Sequence, residues 1–311
     1  MTVKMRICPF IAGLLFLFIP WSLPGQTEQQ PPKIRVRVDL VSLDVEVLDQ
    51  DKNLVTGLTP TDFIVEENGK PMEISNFALS TGLRVNLAIV LDTSALSTRQ
   101  LGVCKRFLQS IAHKLDHTDQ LCLYSYDTKD VYLEQDLTSD RPLLIKAIED
   151  VWVPSKRSGG LLRELFGLLP LTGLAIDLAL HRLKDLPEGK KALLLISNRF
   201  RGLGPATVEH IQQSDCTLLT LAFSHKASVV VGFGDAINTH QLMRESGGRQ
   251  FSAETKDIEA MCGRIAHSLK NYYSIGYLTT IEAGDTRPRK IRVRVPGHDY
   301  KVYFRHTYIP Q

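Results

Sequence analysis

Several features are scarce in this 311-residue sequence, and each scarcity argues against a class of protein. The five cysteines include no CxxC pair, so neither a zinc ribbon nor a disulfide-dense small domain is indicated. No GxSxG motif occurs, which argues against a serine nucleophile of the α/β-hydrolase type. The nine histidines are interpreted as scattered rather than as metal ligands. A formal net charge of only +3 gives no reason to expect nucleic acid or an anionic membrane as a partner.

Long apolar runs are also scarce, and the one that occurs lies at the amino terminus. Lys4 and Arg6 precede an almost unbroken apolar stretch over residues 7–19, and Pro20 ends it. This run is too short to span a bilayer comfortably, so residues 1–25 are predicted to be a cleaved signal peptide and residues 26–32 a linker. The alternative is an uncleaved amino-terminal anchor. We therefore expect a secreted or periplasmic protein with no membrane insertion after cleavage.

Four cysteines remain beyond the predicted signal peptide, and each lies in an apolar helical or strand-like context. Buried free thiols are the favoured interpretation. An exported chain could still oxidise a pair, and the sequence does not say which. The four are Cys104, Cys122, Cys216 and Cys262.

The periodicity of apolar residues divides the rest of the chain into three parts. Residues 33–82 alternate with a period of two and predict a β-rich segment. Residues 83–271 alternate between strand-like runs and helical periodicity, which indicates a parallel sheet covered on both faces. Residues 272–308 are again strand-like and are expected to complete the β-rich unit. The predicted fold class is α/β, with a doubly wound, mostly parallel sheet plus a small β-rich unit formed by the terminal strands.

In sheets of this kind, ligands bind beyond the carboxyl ends of the central strands. Asp92 ends the apolar run over residues 85–91, and Asn198 follows another buried run at residues 192–197. Thr172 opens a helical segment between them. The sequence therefore directs attention to these three polar residues.

The segments around these residues resemble von Willebrand factor type A domains. Residues 87–94 (LAIVLDTS) resemble the first strand and metal-binding loop of that family, residues 171–174 (LTGL) its threonine loop, and residues 192–198 (ALLLISN) a later strand of its metal site. The flanking segments 41–49 and 55–63, with 272–277, are similar to the bacterial exported group called von Willebrand factor type A-related domain proteins, abundant in acidobacteria. The resemblance covers roughly residues 36–308 and implies a type A-like domain.

The resemblance also implies a metal site, and this sequence departs from its pattern. The family binds Mg²⁺ through an Asp-x-Ser-x-Ser loop, a threonine and a later aspartate; Asp92, Ser94 and Thr172 match. Leu96 stands where the second serine is expected, and Asn198 stands where the second aspartate is expected. The implied cofactor is therefore none, or weakly bound Mg²⁺ at a degenerate site. Asp92 has the alternative roles of helix N-cap and loop-ordering acceptor.

Two hydroxyl residues near this site have alternative roles as well. Ser97 could replace the missing hydroxyl at position 96 only if the loop slipped by one residue. Thr172 could instead cap the helix that follows it. In a metal site these hydroxyl groups would bind the ion, whereas in a merely structural loop they would form hydrogen bonds within the protein.

A Leu-rich stretch flanked by glycines, residues 158–170, precedes the threonine loop and would lie near the ligand-binding face. Leu165, Phe166 and Leu168 are its candidate partner-binding residues. The alternative is a short buried helix that packs on the sheet.

The sequence thus predicts an exported, non-catalytic binding or scaffolding protein that recognises a protein partner at the top of its α/β domain. A purely structural periplasmic protein and a hydrolase with an unrecognised site are the alternatives.

Overall fold

A computed structural model of the chain describes residues 36–94, 96–153, 171–186, 189–197, 203–223, 239–253, 257–282 and 285–310. These all belong to one compact unit, Val36–Gln311. The predicted signal peptide and linker lie outside the described residues. Within the described ranges, no helix is both long and apolar enough to cross a membrane.

A six-stranded sheet forms the centre of the molecule. Its strands are β5 (Val85–Asp92), β6 (Gln120–Tyr126), β7 (Val131–Thr138), β8 (Lys190–Ile196), β9 (Thr217–Ala222) and β10 (Gln250–Ser252), in the order β10-β9-β8-β5-β6-β7. All neighbouring strands are parallel except β6 and β7. Every residue of β5 is buried, which explains its unbroken apolar run.

Helices cover both faces of this sheet. The helices are α1 (Thr98–Lys114), α2 (Arg141–Asp150), α3 (Leu171–Lys184), α4 (Pro205–Gln213), α5 (Thr239–Glu245) and α6 (Ile258–Lys270). One apolar core lies between the sheet and α1, α2 and α6, and a second lies between the sheet and α3, α4 and α5. The predicted fold class, a doubly wound type A-like sheet with helices on both faces, is confirmed.

The two ends of the described chain meet in a β-sandwich. One sheet contains β1 (Val36–Leu48), β4 (Ile74–Thr81), β11 (Asn271–Glu282) and β13 (Lys301–Tyr303), in the order β13-β1-β11-β4. The other contains β2 (Ile64–Glu67), β3 (Lys70–Met72), β12 (Arg289–Arg294) and β14 (Thr307–Tyr308), in the order β14-β12-β2-β3. A short 3-10 helix, Pro60–Asp62, precedes β2. Antiparallel pairing of β1 with β11 joins amino- and carboxyl-terminal strands, as the sequence predicted.

One carboxylate is buried inside this sandwich. Glu67 accepts hydrogen bonds from the hydroxyl groups of Tyr277 (2.9 Å) and Thr279 (2.7 Å) and from the Arg289 guanidinium (2.7 Å). Burial and the nearby Glu67 charge raise the pKa of Tyr277, so its hydroxyl remains a donor. These bonds tie β2, β11 and β12 together, and they satisfy a charge that would otherwise be costly to bury.

The sandwich packs against the amino-terminal ends of β8 and β10. Lys190, at the start of β8, pairs with Asp44 of β1, and Arg249 lies 3.2 Å from the buried carboxylate of Glu46. Burial raises the pKa of Glu46, and the Arg249 charge opposes that effect. The site predicted from the sequence follows the carboxyl ends of the central strands, so it lies at the opposite end of the sheet from the sandwich.

All four cysteines beyond the predicted signal peptide are buried and unpaired. Burial raises the thiol pKa to about 12 for Cys104, Cys122 and Cys216, and to about 11 for Cys262. The favoured interpretation of buried free thiols agrees with their positions.

Candidate functional site

The candidate site is built around Asp92, the last residue of β5, whose exposed fraction is only 3%. One of its carboxylate oxygens accepts from the backbone amide and the hydroxyl of Ser94, at 3.0 and 2.5 Å. The other accepts from the hydroxyl of Ser197, just past β8, at 2.7 Å. Both oxygens of Asp92 therefore have partners within the protein.

The loop after Asp92 is fixed by contacts on both sides. Thr93 donates its backbone amide and its hydroxyl to the carbonyl oxygen of Tyr126, at 2.9 and 3.0 Å. Leu96 is buried in the core beneath α1. Ser97 is the N-cap of α1 and forms a capping box with Gln100.

These contacts decide the alternatives for this loop. Ser97 caps α1, so Asp92 is not the N-cap, and its role is that of a loop-ordering acceptor. Because Ser97 is held by Gln100 and Leu96 is held by the core, the loop has not slipped to place Ser97 beside Asp92.

Thr172 contributes the third element of the site. It is the second residue of α3, so the interpretation of Thr172 as the cap of this helix was wrong. Its hydroxyl donates to the phenolic oxygen of Tyr126 at 2.9 Å. Burial and the charge of Asp92 raise the pKa of Tyr126, which keeps that phenol neutral. Thr172 and Asp92 thus line the same edge of the sheet, and the phenol of Tyr126 contacts both side chains.

The described residues do not fit a tightly held Mg²⁺. That ion demands a near-octahedral set of oxygen ligands, usually including one or two carboxylates. Of the described residues that match the family's pattern, only Asp92 supplies a carboxylate, which is already bonded through both oxygens, while the Thr172 hydroxyl donates to Tyr126. No buried polar atom of Asp92, Ser94 or Thr172 lacks a partner, and no cluster of three acidic, histidine or cysteine side chains occurs in the described ranges. Asn198 lies outside them.

Two residues that complete this site were missed from the sequence. Ser197 supplies a hydrogen bond to Asp92, and Tyr126 receives the one from Thr172. Ser197 directly follows β8 and Tyr126 ends β6, so the strand-end rule that pointed to Asp92 would have found both.

Large apolar side chains are exposed around this edge of the sheet. Tyr132 (41% exposed) follows the turn after β6, and Leu174 (48%) lies in the first turn of α3, close to Thr172. Trp152 (63%) follows α2, which starts where Arg141 donates to the carbonyl oxygen of Asp119 and runs from there toward this edge. We call Tyr132, Trp152 and Leu174 the rim residues.

The candidate partner-binding residues of the Leu-rich stretch lie outside the described residues. They are Leu165, Phe166 and Leu168, and in the chain they fall between Trp152 and Leu174. Both described flanks of that stretch therefore carry an exposed apolar side chain.

The interpretation of all nine histidines as scattered was wrong for one pair. His113 and His117 have the HxxxH spacing of metal ligands. However, α1 ends at Lys114, so the two do not share a helical face, and Nδ1 of His113 lies 2.7 Å from the carbonyl oxygen of Gln109.

The sequence matches no family model and no curated protein. Solved structures resemble it weakly. An aerotolerance-related membrane protein from Bacteroides fragilis is 15% identical and covers 60% of this chain and 98% of its own, with a TM-score of 0.43. BatB from Bacteroides thetaiotaomicron is 16% identical and covers 60% of this chain and 98% of its own, with a TM-score of 0.42. The SpRpn10 VWA domain is 10% identical and covers 58% of this chain and 93% of its own, with a TM-score of 0.39. Similarity at this level establishes no partner, activity or location.

Proposed function

We propose that this chain is an exported, non-catalytic binding or scaffolding protein that recognises a protein partner at the carboxyl-terminal edge of its central sheet. The observation that carries the proposal is the exposure of Trp152, which follows α2, the helix that runs toward that edge. Tryptophan and tyrosine are enriched among the residues that dominate binding energy at protein interfaces. Export is inferred from the apolar amino-terminal run and its basic flank alone.

Recognition is proposed to proceed without a metal bridge. A metal-dependent contact would need Asp92 and Thr172 to turn toward the ion, at the cost of hydrogen bonds to Ser197 and Tyr126. Apolar contact at the rim residues requires no such rearrangement. The predicted residues Leu165, Phe166 and Leu168 would extend the same surface.

The absence of catalysis is proposed on the chemistry of the edge. A serine nucleophile needs a neighbouring general base that can accept its proton. Ser94 donates to the carboxylate of Asp92, and none of the described histidines contacts it. A screen of esterase, glycosidase and peptidase substrates checks this point, since reproducible turnover that Ser94→Ala removes would contradict it.

The recognition proposal is tested by affinity capture from the envelope fraction of the source organism. The bait is the chain without its predicted signal peptide, compared with Trp152→Ala and with the matched control Val38→Ala. Val38 is 61% exposed and lies on β1, in the sandwich that packs at the other end of the central sheet.

We expect at least one protein to be captured by the wild type and by Val38→Ala but not by Trp152→Ala. Loss of a dominant interface side chain costs about 2 kcal/mol or more, or roughly 30-fold in affinity. Equal capture by all three baits, or none by any, would overturn the proposal.

Metal independence is tested separately by calorimetry of the same protein with Mg²⁺ and Mn²⁺. We expect no saturable micromolar binding. Micromolar binding that Asp92→Ala abolishes would show that the edge rearranges to hold the ion.

A further inference from the structure

The edge strands of the three sheets are protected against pairing to very different degrees. Among the described residues, four edge strands are only two or three residues long: β3, β10, β13 and β14. The fifth, β7, has eight residues but carries Glu134 and Asp136. Because β13 pairs only with residues 46–48 of β1, the stretch 36–45 of β1 also has one side that no described strand pairs with, and it carries Arg37, Asp39 and Asp44. Short length and charge are the usual devices that keep edges from pairing with other chains.

The sixth edge, β4, has none of these devices. Its eight residues, ISNFALST, include no charge and no proline. The uncharged run continues to Leu83, and the nearest charges are Glu73 and Arg84 on either side. On these grounds β4 is the best template for strand addition in the part of the chain that the structure describes.

The outer side of β4 is open in the structure. One side pairs with β11 over Asn271–Tyr277, and no described residue forms a backbone hydrogen bond with the other side. Asn76, Ala78 and Leu79 are exposed. The single bulge of this pairing lies next to Ile74, so the strand is regular from Asn76 onward.

The composition of β4 suits a second copy of itself. A two-fold axis places the same strand of each copy side by side and antiparallel. With the axis at Ala78, that residue meets its own counterpart, Asn76 faces Ser80, and Phe77 faces Leu79. A charged residue in this run would face a like charge or come close to one, and the run has none.

We propose that β4 pairs antiparallel with β4 of a second copy, with the axis at Ala78. The two four-stranded sheets then become one eight-stranded sheet. Backbone hydrogen bonds supply the affinity, because the strand has no side chain suited to select a foreign partner. This surface is distinct from the rim residues, so dimer formation and partner capture can fail independently.

The test measures the mass in solution of the chain without its predicted signal peptide, by light scattering and by sedimentation over a wide concentration range. We expect twice the mass of one chain. Ala78→Lys places two ammonium groups on the axis and should give a monomer. The control Ser42→Lys adds the same charge to an exposed position of β1, two strands away from β4, and should remain dimeric.

A cross-link tests the register even if Ala78→Lys fails to fold. Facing residues of antiparallel strands have Cα atoms about 4.5 to 5.5 Å apart, within the span of a disulfide. Ala78→Cys should therefore yield a disulfide-linked dimer on mild oxidation, and Ser42→Cys should not. A monomeric wild type, a folded but dimeric Ala78→Lys variant, or no cross-link through Cys at position 78 would overturn the proposal.

Discussion

Replacing Asp92 with alanine distinguishes a loop-ordering role from a metal site, because the two predict opposite effects on the metal-free protein. In a metal site, an acidic ligand lowers the stability of the protein until the ion binds. In the arrangement seen here, the carboxylate of Asp92 already receives hydrogen bonds from Ser94 and Ser197. Its removal should therefore destabilise the protein without any metal present.

The expected magnitude follows from the burial of each donor. Ser94 is exposed, so water can replace Asp92 at its amide and hydroxyl. Ser197 is fully buried and also contacts the Tyr126 phenol, so the loss of Asp92 removes one of its hydrogen-bond partners, at a cost of about 1–3 kcal/mol. Removing a carboxylate from a buried site recovers part of its desolvation cost. We expect the free energy of unfolding to fall by about 2 kcal/mol, or roughly 4–8 °C in Tm.

The assay is thermal and urea unfolding of the wild type, Asp92→Ala and a control, each in EDTA and in Mg²⁺. Asp136→Ala is the control, because Asp136 also accepts side-chain hydrogen bonds, from Arg182, but both of these side chains are exposed. Its loss should cost no more than about 1 kcal/mol. The reasoning is refuted if Asp92→Ala is as stable as the wild type in EDTA, or if Mg²⁺ raises the Tm of the wild type but not of Asp92→Ala.

Three further predictions follow from buried groups. Glu67→Ala should lower the free energy of unfolding by about 3–5 kcal/mol, because the buried hydroxyls of Tyr277 and Thr279 lose their acceptor and Arg289 keeps only Asp285 as an acidic partner. Glu67→Gln should cost less, and urea unfolding measures both. Leu96→Ser, which restores the family's second serine, should cost at least about 2 kcal/mol in the same assay and confer no Mg²⁺ binding by calorimetry. The four buried thiols should resist a thiol reagent at pH 8 in the native protein and react fully in urea, and rapid native labelling would contradict this.

Local sequence patterns were sufficient to predict the central sheet. A strand buried on both faces must be apolar at every position, and β5 shows this in an unbroken run. The strand-end rule then located Asp92 and Thr172, because the carboxyl ends of parallel strands meet at one edge. Pairing of the terminal strands followed from their period-two alternation and from the need to bury one face of each.

The strand-end rule also covers Ser197 and Tyr126, but it does not say which hydrogen bonds they form. Ser197 and Tyr126 reach Asp92 and Thr172 across neighbouring strands, at sequence separations that no local pattern encodes. Exposure posed a similar problem, since Leu174 lies in an apolar helical run where periodicity alone does not separate a buried leucine from an exposed one. The burial of Leu96 could not be predicted either, because it depends on the core that α1 forms with the sheet.

Packing explains one departure from the metal-site pattern that the resemblance implies, the leucine at position 96. Leu96, which stands in place of the second serine, packs in the core and holds the loop there, and Ser97 is the N-cap of α1. Asp92 has Ser94, Ser197 and Tyr126 as its described partners. The contacts that occupy its carboxylate oxygens also order the loop that follows β5. On the proposed function, selection for a partner would act on Trp152 and its neighbours, while Asp92 would be retained for the stability of the surface that carries them.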